Sequence, residues 1–279
     1  MLLTFDVGNT ETTLGLFDGE TLRAHWRIMT DVARSADEMG VLLRGLLAGA
    51  ELAPADVRGV VIGSVVPRVT APLEEACSRW LSAESIAVID ARSPLPITLA
   101  VDEPQTVGAD RFINTLGASR RYSRDAVVVD LGTATTFDCI TKEGVFLGGV
   151  IAPGVQTSAE TLFRRTSKLP ATELVAPARV IGTRTEECIR SGVMFGAAES
   201  IDGIVRRIIG EWPNPDRPIV IGTGGLAEIF EPLCESFDAV DPYLTLRGLQ
   251  MAHELLGQGL QTGPRTPKHD AAGGRRAAP

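Results

Sequence analysis

The chain has 279 residues, 44% of them apolar and 22% charged, with a net charge of −8. That apolar share supports a substantial core, in one large domain or two of ordinary size. The acidic balance argues against a nucleic-acid surface, and no run is long and apolar enough to span a bilayer.

Asp6 interrupts the N-terminal apolar stretch and no basic segment precedes it, so no secretory signal is expected and a cytoplasmic location is. Cys77, Cys139, Cys188 and Cys234 are scattered with no Cys-x-x-Cys pair, which reads as reduced thiols rather than a zinc or redox motif. His25, His253 and His269 form no cluster, so neither a His-based metal site nor a Ser-His-Asp triad is expected.

In chain order, residues 2–7 read as a strand and 11–17 as a second, and the Asp18-Gly19 turn leads into a third ending near Ile28. Ser35-Ala36-Asp37-Glu38 has the spacing of a capping box, opening a helix to about Ala50. Val57 to Gly63 reads as a buried strand, a helix follows Pro67, and residues 85–90 form a short apolar strand before Pro94 and Pro96 break the chain. From Asp125 the order repeats, with strands at Asp125–Asp130, Thr135–Thr141 and Gly144–Ile151. Thr183-Arg184-Thr185-Glu186 is a second capping-box pattern, opening a helix to about Ile209. Pro218–Gly222 is a strand, followed by Gly222-Thr223-Gly224-Gly225 and a helix; residues 237–241 give a last strand and Leu244–Leu256 a last helix. Each half reads β-β-β followed by alternating helices and strands, which predicts an α/β protein with a duplicated mixed sheet. The expected division is 1–117 and 118–258, with 259–279, rich in Gly, Pro and Ala, as a disordered tail.

The duplication is sharpest in one motif. Leu2-Leu3-Thr4-Phe5-Asp6-Val7-Gly8-Asn9-Thr10 and Val127-Val128-Val129-Asp130-Leu131-Gly132-Thr133-Ala134-Thr135 each run from an apolar strand into Asp-x-Gly and small polar residues, with the two Asp 124 positions apart. Gly8 lets the backbone approach a ligand. Turn amides, with the Asn9, Thr10, Thr12 and Thr13 side chains, can donate to phosphate oxygens. Asp6 would be repelled by phosphate and suits the water shell of Mg²⁺ instead. One copy alone is most simply a hairpin with Asx-turn residues; two copies and the Gly-rich turn at 222–225 favour a nucleotide. There is no Gly-x-x-x-x-Gly-Lys-Ser/Thr, so the chain is not a Walker-type ATPase.

Gly108-Ala109-Asp110-Arg111 precedes a predicted helix. Asp110 could accept a hydroxyl proton in phosphoryl transfer and Arg111 could hold a carboxylate, or the two could form a surface pair. Thr133 and Thr135 could reach phosphate, or could stabilise a strand-end turn. Gly148 to Gly154 gives a strand, a bend and a helix start, and Arg164, Arg165 and Lys168 read as a solvated helix face.

Together these motifs, with the segment Gly182 to Gly192, resemble the type III pantothenate kinase family, collinearly over about residues 1–258. The resemblance implies the acetate kinase/sugar kinase/Hsp70/actin fold, with two ribonuclease-H-like halves and ATP in the cleft between them. It implies ATP-dependent phosphorylation of pantothenate to 4′-phosphopantothenate, the first step of coenzyme A synthesis. By the same likeness Asp6, Val7, Gly8, Asn9, Thr10, Glu11, Thr12 and Thr13 form the first ATP phosphate loop, and Thr133 contacts ATP. Gly108, Ala109, Asp110 and Arg111 bind pantothenate, with Asp110 as proton acceptor. Asp130 ligates a monovalent cation, K⁺ or NH₄⁺, and Thr185 contacts pantothenate across a homodimer interface. That interface would include Ile189, Val193, Ala197, Ile201 and Ile204. One departure stands out: many relatives carry Tyr shortly before Gly-Ala-Asp-Arg, where this chain has Val101, and the nearest aromatic is Phe112.

Two rival readings are a sugar or small-alcohol kinase of the same fold, or a non-catalytic regulatory relative. The retained Asp6, Asp110, Arg111 and Asp130 argue against loss of activity. An actin- or Hsp70-like ATPase module lacks the extra subdomains that would couple to nucleotide state.

Overall fold

A computed structural model describes residues 1–260. The first half forms β1 (Leu2–Val7), β2 (Glu11–Asp18), β3 (Thr21–Met29), α1 (Ala36–Gly49), β4 (Gly59–Ser64), α2 (Pro67–Trp80), β5 (Ser85–Ile89), β6 (Thr98–Leu99) and α3 (Ala109–Tyr122). The second forms β7 (Ala126–Leu131), β8 (Ala134–Ile140), β9 (Val145–Pro153), α4 (Val155–Arg165), α5 (Thr185–Gly210), β10 (Ile219–Thr223), α6 (Ala227–Phe230), β11 (Ala239–Val240) and α7 (Leu244–Leu260). α7 runs two residues into the segment expected to be disordered; the rest of that segment, 261–279, lies outside the described residues.

The two sheets repeat one topology. The first has the order β3-β2-β1-β4-β5, and the second β11-β10-β7-β8-β9 with β6 added at its edge. In each, the strand carrying Asp-x-Gly pairs antiparallel with the next strand and parallel with a later one, β1 with β4 and β7 with β10. β6 comes from the first half of the chain but pairs parallel with β9.

Strand alternation sets the layers. Leu3, Phe5 and Val7 of β1 pack under α1 and α2 with Met39, Leu43 and Leu73. Leu2, Thr4 and Asp6 therefore face the other way, toward α3 and α7, where Phe112, Ile113, Leu116 and Leu249 are buried. β7 repeats this: Val127, Val129 and Leu131 pack under α5, and Ala126 and Val128 face α3 and α7. The α3–α7 pair is thus the middle layer between two sheets, and the parity that buries Phe5 and Val129 outward turns Asp6 and Asp130 inward. Leu116 has no exposed surface in this layer, so Leu116→Ala would cost about 2–5 kcal/mol. The division expected at 117/118 falls inside α3, which packs against both sheets.

The first capping box forms as expected, with Ser35 N donating to Glu38 Oε2 at 2.8 Å and Glu38 N to Ser35 Oγ at 3.3 Å. The second differs by one residue. α5 has Arg184 at its N-cap, so the carboxylate at the third helical position is Glu187, not Glu186; it accepts from Thr183 N at 2.9 Å and Thr183 Oγ1 at 3.1 Å. The expected strand over 237–241 narrows to Ala239–Val240, which pair with Ile221 and Gly222. Among the described residues no helix is long and apolar enough to cross a membrane.

Candidate active site

Asp6 and Asp130 stand near the ends of β1 and β7, where both chains turn back. Gly8 N donates to Glu11 O at 3.0 Å in one turn, and Gly132 N to Ala134 O at 3.0 Å in the other. The turns meet: Thr133 Oγ1 donates to Thr10 Oγ1 at 2.9 Å. Each is braced from behind. Thr30 Oγ1 donates to Gly8 O at 2.8 Å, and Thr157 Oγ1 on α4 donates to Thr133 O at 2.7 Å.

Between them lies a cleft of about 300 Å³ lined by Asp6, Gly8, Asn9, Thr10, Glu11, Thr13, Asp110, Asp130 and Thr133, joined by Arg27, Gly224 and Gly225. Val7 and Thr12 belong to the same loop but point away from the cleft. Val7 is buried under α1 and α2, and Thr12 shares a 2.8 Å hydroxyl bond with Thr30. Gly224 has φ +87, and a Cβ there would crowd Asp130 Oδ1 and the backbone of Leu131. The glycine turn after β10 thus closes directly over Asp130.

α3 aims its N-terminus at the cleft floor, with Gly108 as N-cap and Asp110 in its first turn. Asp110 Oδ1 accepts from Arg111 N at 2.8 Å. A Cβ on Gly108 would come within 2.5 Å of that oxygen, so the glycine leaves the carboxylate its place. Arg111 does not line the cleft itself; it runs from α3 along the inner face of β8. Its Nε donates to Asp138 Oδ1 at 2.6 Å, Nη2 to Phe137 O at 3.4 Å, and its guanidinium lies 5.0 Å from the Phe146 ring centroid. Val101 packs beside Leu99 and Val107 against the cluster holding Phe146, while Phe112 is buried in the middle layer and is not among the residues lining this cleft.

Burial raises all three carboxylates that face the cleft, and Asp110 adds to the shifts of the other two. Burial, then the charges of Asp110 and Asp130, hold Asp6 well above its ordinary value. Burial, then Asp110 and Asp138, push Asp130 up to about 7. Burial raises Asp110 as well, partly offset by the Arg111 N–H and charge. Asp138 has no exposed surface, and burial raises it despite Arg111; its second oxygen has no partner. Asn114 Nδ2 donates to Asp130 Oδ2 at 3.4 Å, and Asn114 Oδ1 accepts from Thr245 Oγ1 at 2.8 Å. Such a cluster is stable in its charged form only when cations enter it.

Thr185 is not brought to this cleft. It is exposed at the start of α5 and lines a separate apolar groove of about 650 Å³ with Phe137, Val155, Leu162, Ile189 and Val193. Phe137 belongs to the outer face of the second sheet, so in one chain that sheet stands between Thr185 and Asp110.

Arg27, Asn114, Asp138, Thr157 and Thr245 complete the cleft or its supports, and sequence reasoning did not single them out. Asp138 carried a signal: a lone carboxylate between Phe137 and Cys139-Ile140 in the strand expected over Thr135 to Thr141 is rare without a buried partner. Arg27 carried none, because a basic residue alternating along an edge strand is ordinary.

The architecture has counterparts in known proteins. MreB5 of Spiroplasma citri, solved with AMPPNP, superposes with a TM-score of 0.54 at 11% identity, over 94% of this chain and 98% of that one; the likeness is one of fold, the two-sheet actin and sugar-kinase architecture. The chain is 42% identical over 254 residues to the type III pantothenate kinase of Acidothermus cellulolyticus, covering 91% of this chain and 98% of that one. It is 45% identical over 255 residues to the enzyme of that name from Anaeromyxobacter sp. strain K, covering 91% and 99%. The family model for type III pantothenate kinase matches residues 2–207, a span that holds both Asp-x-Gly turns and the Asp110 helix. With its cleft, its paired turns and these relatives taken together, the chain belongs to the type III pantothenate kinase family.

Proposed function

We propose that the protein transfers the terminal phosphoryl group of ATP to the primary hydroxyl of pantothenate, giving 4′-phosphopantothenate and opening coenzyme A synthesis. The observation that carries this is Asp110 on the floor of a cleft between two hydroxyl-bearing turns, facing Asp6 and Asp130, in a chain of this family.

In this reading the turn over Asp6 to Thr13 and the Thr133 hydroxyl hold the phosphates. Asp110 accepts the acceptor hydroxyl's proton as the new P–O bond forms and the bond to ADP breaks. Its raised pKa makes it a better base than an exposed carboxylate. The transition state for phosphoryl transfer is loose, so most of the acceleration comes from alignment and charge neutralisation.

The residues fit the expected cations. Asp6, which faces the cleft beside the turn amides, would stand in the outer shell of a Mg²⁺ whose other ligands are phosphate and water. Mg²⁺ supplies charge neutralisation on the phosphates when bound. Asp130, its pKa pushed to about 7 by burial and its neighbours, has the need for countercharge that K⁺ or NH₄⁺ would meet.

Arg111, anchored by Asp138, would meet the pantothenate carboxylate. Thr185 would act on the site of a second chain in a homodimer, with the groove along α5 as part of the interface, because within one chain it stands on the far side of the second sheet. The halves 1–117 and 118–258 would close on the nucleotide, and the location is cytoplasmic, in keeping with four free cysteines.

The test is ADP release measured with ATP and pantothenate, with and without K⁺, beside a panel of sugars and small alcohols. Release that depends on pantothenate and rises with K⁺ supports the reading. Release with a sugar and none with pantothenate overturns it.

A further inference from the structure

The cleft has a charge problem. Its lining carries five carboxylates, Asp6, Glu11, Asp110, Asp130 and Glu160, and among the described residues one cationic side chain, Arg27. A triphosphate entering this space adds more negative charge, and Arg111 is not among the lining residues, its guanidinium being held by Asp138 on the inner face of β8.

Sheet register explains how Arg27 gets there. Asp6 pairs with Thr13 across β1 and β2, and Thr13 pairs with Arg27 across β2 and β3. Directly paired residues share one face of a sheet, so Asp6, Thr13 and Arg27 form one rung on the inner face. Its charge is felt along the rung, drawing the Asp6 pKa down against the carboxylates that raise it. The equivalent rung of the second sheet runs from Asp130 to Thr136 to Ile151. The duplicated sheets are therefore unequal at this position: the rung starting at Asp6 ends on a cation, and the rung starting at Asp130 ends on an apolar residue.

Arg27 is also poised rather than locked. Its Nε lies 3.5 Å from Glu11 Oε2, with the two side chains 43% and 46% exposed. Such an exposed, solvent-screened pair holds the guanidinium only weakly. Across the cleft, a Cβ on Gly225 would lie 2.9 Å from Arg27 Cζ, so the guanidinium reaches from the first sheet to the glycine turn of the second. Phosphate offers the fork a charge-assisted, two-point partner that the Glu11 contact does not match.

We propose that Arg27 binds the terminal phosphates of ATP, exchanging Glu11 for them as the nucleotide enters and tying the first sheet to the Gly224–Gly225 turn. The proposal rests on the nucleotide reading of this cleft and adds to it a residue that touches the reacting end of ATP.

The test compares binding of β,γ-imido-ATP and of AMP, both with Mg²⁺, to the full-length wild type, Arg27→Ala and Arg27→Lys by titration calorimetry. Loss of a charge-assisted contact predicts an affinity for the imido analogue lower by about tenfold or more in Arg27→Ala, with AMP affected much less. Arg27→Lys should recover part of the loss, since it restores the charge without the fork. A loss on the imido analogue at least about fivefold larger than the loss on AMP supports the proposal. Any smaller difference overturns it, as does a wild type that binds no imido-ATP. Thermal melts check the fold, and if Arg27→Ala unfolds, Arg27→Gln is held to the same criterion. No acceptor is needed, so a wild type that binds imido-ATP but leaves pantothenate unphosphorylated would sink the functional reading while this comparison still decides the role of Arg27.

Discussion

The Thr133 hydroxyl donates to the Thr10 hydroxyl at 2.9 Å, joining the turn after β7 to the turn after β1. The bond is exposed and neutral, so it contributes only about 0.5–1.5 kcal/mol and can be exchanged for phosphate oxygens as a nucleotide enters. Thr133→Ala should therefore leave the melting temperature within a few degrees of wild type and raise the KM for ATP about tenfold. Steady-state kinetics and a thermal melt check both halves. An unchanged KM for ATP would remove Thr133 from the phosphate site.

Asp110→Asn keeps the shape at the start of α3 but cannot take a proton. The expected loss in kcat is about 10²–10⁴-fold, with binding of imido-ATP retained. Because burial raises the Asp110 pKa, the activity of wild type should fall as pH drops through a value above the ordinary carboxylate range. If Asp110→Asn turned over at the wild-type rate, Asp110 would not be the proton acceptor.

Asp130 links pH, cation and stability. Its folded pKa of about 7 lies above the 3.8 of an unfolded carboxylate, so the folded state binds the proton more tightly. Stability from this group is fully present below about pH 4 and is lost as pH rises toward and through 7. Asp130→Asn should then melt higher than wild type at pH 8 in K⁺-free buffer, with the gap closing toward pH 5. Cation and proton compete for the same carboxylate, so the apparent affinity for K⁺ should weaken as pH falls below about 7. Melting curves and K⁺ titrations across pH measure both, and an Asp130→Asn that melts lower at pH 8 contradicts the account.

Asp138 and Arg111 form a pair in which Asp138 has no exposed surface. Asp138→Ala leaves the guanidinium buried without its partner, a loss of about 3–5 kcal/mol. Asp138→Asn preserves packing and should chiefly raise the KM for pantothenate, by freeing Arg111 to move. Chemical denaturation and acceptor kinetics separate the two effects. Equal stability of Asp138→Ala and wild type would show that the pair contributes nothing.

Much of the architecture was legible because it is local. The Asp18-Gly19 turn, the Ser35–Glu38 cap and the β-branched run before Asp130 each specify their element within a few residues, and duplication let one half check the other. Asp6, Asp110 and Asp130 were legible for the same reason, as punctuation at strand ends and at a helix start. What escaped depends on register and tertiary pairing. Arg27 reaches the cleft only because β2 and β3 pair Thr13 with it. Asp138 matters only because α3 lays Arg111 against the inner face of β8. β6 has two residues and no pattern of its own; its pairing with β9 makes it a strand. The α5 start moved by one residue because adjacent glutamates, Glu186 and Glu187, offered two registers for one cap.

The most direct check on the central claim is the product itself. Pantothenate and ATP incubated with the protein, Mg²⁺ and K⁺ should yield pantothenate heavier by one phosphate group, one for each ADP formed, by mass spectrometry with ³¹P NMR locating the ester on the primary hydroxyl. The account predicts that this product forms with wild type and is lost with Asp110→Asn. ADP formed without phosphorylated pantothenate, or the same yield from Asp110→Asn, would contradict it.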